Sequence, residues 1–81
     1  MAKLKEIIEV LEELKDDSTT PKNVKLKLDE VIDELKNDEE TSVKIHNSLN
    51  ILDDLAEDSN LESFTRSQLW NIMSLLEASR P

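Results

Sequence analysis

Eighty-one residues pass without a single glycine. Tight turns that need positive φ, bulged sheet edges and phosphate-cradling loops all favour glycine, because it alone carries no Cβ to clash. A chain with none is expected to be built from helices joined by polar turns. Cysteine is also absent, so no disulfide or thiolate-bound metal can staple the fold. A chain this short allows one small domain, expected to span residues 1–81, and buries a modest fraction of its surface. It must therefore rely on helix packing or on self-association.

Apolar spacing locates four helices. From about Lys3 to Lys15, Leu4, Ile7, Ile8, Leu11 and Leu14 fall on one face, with Val10 at its edge. "DDSTTP" breaks the pattern. There Thr20 has the chemistry of an N-cap and Pro21 suits the first helical position. The second helix runs to about Lys36 and turns Val24, Leu28, Val31, Ile32 and Leu35 inward. After "NDEETS", the third covers about Ser42 to Glu57, with Ile45, Leu49, Ile51, Leu52 and Leu55 inward. Ser59 and Glu62 have capping-box spacing at the last break, which starts a fourth helix over about Asn60 to Ser79.

Shifted by about 41 residues, the sequence overlays itself, a period typical of helical-hairpin repeats. "VLEELKDDS" (Val10 to Ser18) matches "ILDDLAEDS" (Ile51 to Ser59). Leu4, Ile8, Leu11 and Leu14 then meet Ile45, Leu49, Leu52 and Leu55; Leu28, Val31, Ile32 and Leu35 meet Leu69, Ile72, Met73 and Leu76. One hairpin cannot bury its apolar stripe alone, but two can bury each other's. The expected fold is all-α: a four-helix bundle of two repeated antiparallel hairpins, the first over about 2–37 and the second over about 42–79. Stacking of the hairpins in HEAT-like layers is the alternative arrangement.

The halves differ most in their second helices. Phe64, Trp70 and Leu75 stand where the first half has Asn23, Asp29 and Glu34. Both aromatic residues of the protein are among these replacements. Leu61, Leu69, Ile72, Met73 and Leu76 already supply a core-facing stripe, so helix 4 is apolar over more of its circumference than one interface requires. Trp70 then packs in a core or groove, joins two copies of the chain, or docks a different partner. Phe64, Arg66, Leu69, Trp70, Met73 and Leu75 are the candidate interface, since Trp with Arg is the composition of binding hot spots. Leu26 and Val43 lie off their own stripes.

Other chemistry finds little support. The net charge of −9 repels a phosphate backbone, so no direct nucleic-acid binding is expected. An RNA- or ribosome-associated role would rest on Lys22, Lys25 and Lys27 near the start of helix 2. No apolar run approaches the ~20 residues that span a bilayer, no secretory signal is evident, and a cytoplasmic protein is expected. The acidic runs Asp16–Asp17, Asp38–Glu40, Asp53–Asp54 and Glu57–Asp58 lack EF-hand spacing. A lone His46, paired in the repeat with Lys5, reads as a solvated position, and one histidine without cysteine cannot make a structural zinc site. No nucleophile turn or oxyanion signature accompanies the serines and threonines. No enzyme activity, cofactor, metal or small-molecule substrate is therefore expected. The leading function is a protein-interaction or self-association module with a protein partner or a second copy in a homodimer; a metal-dependent enzyme is the most distant alternative.

The final helix carries a resemblance. "TRSQLWNIMSLLE" (Thr65 to Glu77) resembles the ending of a small archaeal family known as uncharacterised protein family one-four-seven, through Thr65, Arg66, Leu69, Trp70, Asn71, Ile72, Met73, Ser74, Leu76 and Glu77. "LEELKDDSTTPKNVK" (Leu11 to Lys25) is similar to an earlier stretch of the same family, whereas Glu62 stands where a proline is expected. The resemblance spans the chain and implies an archaeal, cytosolic, four-helix protein. It brings no catalytic residues and no activity.

Overall fold

A computed structural model describes residues 4–81. The four stretches of helical apolar spacing become α1 (Leu4–Asp16), α2 (Lys22–Lys36), α3 (Thr41–Ala56) and α4 (Ser63–Ala78). Each helix packs on its sequence neighbours, and α4 closes on α1. The backbones of the diagonal pairs α1/α3 and α2/α4 do not approach each other closely. HEAT-like layering would lay α1 on α3 and α2 on α4, so the closed ring decides for the bundle. A 16-residue helix is about 24 Å long, and the molecule measures 33 × 19 × 18 Å, so the helices lie along its long axis.

The core follows the repeat. Leu11 and Leu52 are sealed from solvent, as are their partners on the second helices, Leu28 and Leu69. Ile7, Val24, Val31, Ile45, Ile72 and Leu76 join them in one apolar cluster. Truncating any of the four leucines to alanine would cost about 2–5 kcal/mol, through lost burial and the cavity left behind. Leu4, Ile8, Val10, Ile51 and Met73 are only partly buried and pack against the rim of the cluster.

Some core positions exchange an apolar for a polar residue across the repeat, as Val24 and buried Thr65 do. Ile7 of α1 pairs with Ser48 of α3, and both are buried. The Ser48 hydroxyl finds no hydrogen-bond partner among the described residues.

The connections explain the missing glycine. No described residue has positive φ. Each turn is instead closed by an Asp or Asn carboxyl or amide oxygen that accepts an N–H two residues on, the local bonding these residues favour in turns. Asp17 accepts from Thr19, Asn37 from Glu39 and Asp58 from Asn60, each at 2.9 Å. The first and last connections repeat their backbone bonds. Thr20 N–H donates to the Asp17 carbonyl and Leu61 N–H to the Asp58 carbonyl; Lys25 N–H donates to Pro21 and Arg66 N–H to Glu62.

This bonding corrects two expectations. Thr20 is buried, and its hydroxyl donates to the Leu14 carbonyl at 2.9 Å, so it closes the end of α1 rather than capping α2. The Ser59–Glu62 capping box does not form. Asp58 holds that turn, no side chain caps α4, and the helix begins at Ser63 instead of Asn60. Leu61 lies in the connection, yet it is buried there, as its counterpart Thr20 is.

Candidate functional site

The apolar replacements of α4 remain on the surface. Phe64 is 63% exposed, Trp70 56% and Leu75 38%. Trp70 is therefore not a core residue. The surplus apolar surface of α4 does not reflect a central position either, because every helix of the ring has two neighbours.

The six candidate residues do not form one surface. Leu69, expected at the interface, is instead fully buried, as are Ile72 and Leu76, and belongs to the core. The rest divide between two flanks. At about 100° per residue, Trp70 and Phe64 lie about 120° apart around the helix, while Phe64 and Leu75 lie within about 20°. Arg66 and Met73 share the Trp70 flank, which faces α3. Phe64 and Leu75 share the flank towards α1.

Arg66 is tied into the fold. Its Nε donates to the Ala56 carbonyl at 3.2 Å and its Nη2 to the Asp58 carbonyl at 2.9 Å. A cation at a helix C-terminus satisfies exposed carbonyls and complements the helix dipole. The guanidinium thus pins the start of α4 to the end of α3, a structural task that competes with the hot-spot role expected of it.

The repeat also shows what Trp70 replaces. In the first hairpin Lys15 Nζ bonds Asp29 Oδ1 at 2.8 Å, and Lys36 lies 3.8 Å from Glu12. The Asp29 carboxylate, through this bond, raises the pKa of the Lys15 amine. The equivalent positions of the second hairpin are Ala56 with Trp70 and Asp53 with Glu77. One ion pair has been replaced by an alanine and a tryptophan, and the other by two acids. Glu77 turns to Arg80 instead, at 3.2 Å.

Two grooves lie at seams that correspond in the repeat and share part of their lining. Val10, Glu13, Leu14, Asp17, Phe64 and Gln68 line one of about 290 Å³ between α1 and α4. Lys27, Asn50, Ile51, Asp53, Asp54 and Glu57 line another of about 290 Å³ between α2 and α3. Val10, Glu13 and Gln68 correspond to Ile51, Asp54 and Lys27. The α1 side of the first groove is absent from the sequence expectation, although the alignment that singled out Phe64 also pairs Val10 with Ile51. Asp17, at its end, accepts the Thr19 N–H and hydroxyl, which hold its carboxyl below the usual carboxylate range.

The basic residues of α2 sit among acids. Lys27 pairs with Glu30 at 3.3 Å and shares its groove with Asp53 and Asp54, and Lys25 lies in the field of Asp17. His46 is exposed, with Asn50 at 3.4 Å. Among the described residues no three acids, histidines or cysteines are grouped to hold a metal ion. No helix there is long and apolar enough to cross a membrane.

Comparison with known proteins agrees with this architecture. A crystal structure of a protein of unknown function, MMP1188, superposes with a TM-score of 0.91 at 37% identity, over 96% of this chain and 90% of its own. A Thermoplasma acidophilum protein from the uncharacterized family UPF0147 superposes at 0.87 with 33% identity, covering 91% and 88%. The UPF0147 protein of Archaeoglobus fulgidus is 34% identical over 74 residues, 91% of this chain and 85% of its own. That of Metallosphaera sedula is 32% identical over 80 residues, 98% and 90%. The pattern of the "Uncharacterised protein family (UPF0147)" matches residues 1–78. The four-helix ring, the family pattern over residues 1–78 and relatives that cover more than nine-tenths of the chain agree: the chain belongs to the UPF0147 family.

Proposed function

We propose that this protein is a small cytoplasmic interaction module without catalytic activity, docking a protein partner through the apolar residues that α4 leaves on its surface. One observation carries the reading: all three positions where α4 replaces a polar residue of α2 by an apolar one stay exposed. A bundle of this design closes its core without them, as the first hairpin does with Asn23, Asp29 and Glu34. Large exposed apolar and aromatic side chains are the anchors of binding surfaces.

The test restores the first-half residues. The triple variant Phe64→Asn, Trp70→Asp, Leu75→Glu should keep its helical circular dichroism and lose partners that wild type retains on affinity purification from host-cell extract. Leu26→Asn, an exposed apolar residue on α2, should retain them. Identical recovery with the folded triple variant and wild type refutes the reading.

A further inference from the structure

Phe64 and Leu75 lie on one flank of α4, about 16 Å apart along its axis at 1.5 Å per residue. Below Phe64 the groove floor is made by Val10 and Leu14 of α1, and Glu13 and Asp17 stand at its edge. At about 290 Å³ it is too small and shallow to enclose a drug-sized molecule, but it suits side chains from one face of a helix.

The second groove of the same volume serves as an internal reference. It is the same seam of the repeat, one hairpin on, and it carries its own cation. Lys27 lies there with Asp53, Asp54 and Glu57. In the α1/α4 groove the lysine is replaced by neutral Gln68, and Phe64 joins the α4 side of the lining, whereas Lys27 alone lines the α2 side of the other. An aromatic ring has entered the lining and the internal cation has been removed. Glu13 makes no ion pair among the described residues, and the cation acting on Asp17 is Lys25, from α2.

From this we infer that the α1/α4 groove receives a basic amphipathic helix of a partner protein. Its apolar stripe seats on Val10, Phe64 and Leu75, and its lysines or arginines meet Glu13 and Asp17. The inference rests on the docking role proposed above and names the partner's chemistry. Charge decides between occupants. A second copy would bring another −9 chain, with the same acidic rim, against this one. A cationic helix supplies the positive charge that this lining lacks.

The full chain, labelled with ¹⁵N, is titrated with two synthetic helical peptides: one of leucine and lysine with a single apolar stripe, and one with glutamate in place of lysine. The lysine peptide should saturably shift the amides of Val10, Glu13, Leu14 and Gln68 and leave Asn50, Ile51 and Asp54 in place. Phe64→Asn should weaken it about tenfold or more, as loss of a binding anchor does. Glu13→Lys, on the exposed edge, should weaken it in the same direction with the fold intact. The glutamate peptide should not bind.

Equal shifts in both grooves would overturn the inference, because general charge attraction would then explain binding. Unchanged affinity of both variants would overturn it as well. So would concentration-dependent shifts of the same amides without peptide, which would make a second copy the occupant. If it fails while the triple variant still loses its natural partner, the docking role stands and moves to the Trp70 flank.

Discussion

Ser48→Ala should make this protein more stable. The side chain is 0% exposed, and its hydroxyl has no hydrogen-bond partner among the described residues. A buried polar group without a partner costs about 1–3 kcal/mol of lost hydration. Alanine is also the better helix former, by up to about 0.5 kcal/mol. The lost oxygen leaves little space, so the gain should be about 1–2 kcal/mol, and for a chain of this length the melting temperature should rise by roughly 5–15 °C. Urea unfolding followed by circular dichroism measures it, with an unchanged slope confirming that the unfolding reaction is the same. The reciprocal change, Ile7→Ser at the matching position of α1, should cost about 3–5 kcal/mol, since it removes buried aliphatic surface and adds an unpartnered hydroxyl. If Ser48→Ala is neutral or destabilising, the reasoning fails. The hydroxyl would then be bonded in solution, with the Lys44 carbonyl one turn back as the available acceptor.

Two further outcomes follow from the way the hairpins are tied. Arg66→Ala should cost about 1–2 kcal/mol by losing two charge-assisted bonds to the end of α3, and Arg66→Lys should recover only part of it, because a single ammonium cannot span both carbonyls as the guanidinium fork does; equal stability of the three in urea would refute the tie. Introducing the first hairpin's ion pair into the second, as Ala56→Lys with Trp70→Asp, should give a double-mutant coupling of about 0.2–1 kcal/mol that fades with salt, and zero coupling at low salt would show that the two hairpins do not share their cross-helix geometry.

Most of the fold was legible because apolar spacing and the repeat point the same way. The stripes of Leu11, Leu28, Leu52 and Leu69 became the sealed centre, and Leu26 and Val43, off those stripes, proved to be exposed. Helix ends were less legible, since Thr20 and Asp58 both have side chains able to bond either the helix before or the helix after. Only packing decides between those bonds. The candidate site divided for a related reason. One-dimensional spacing marks surplus apolar residues on α4, but it does not show that Trp70 looks towards α3 and Phe64 towards α1. It also conceals that Arg66 is occupied by carbonyls eight and ten residues back. Ser48 was visible in principle, as the one serine aligned with a core isoleucine.

Closing the ring gives the bundle a weak line. Three of its four seams join helices linked by connections of only four to six residues, so their loop-closure entropy is small. The fourth joins α1 to α4 across almost the whole chain and is the least extensive of the four. Chain entropy makes it the last seam to form in folding and the first to part in partial opening. A guest bound along this seam would therefore act as a clasp, and occupancy would lengthen the lifetime of the closed bundle in proportion to its concentration above the dissociation constant.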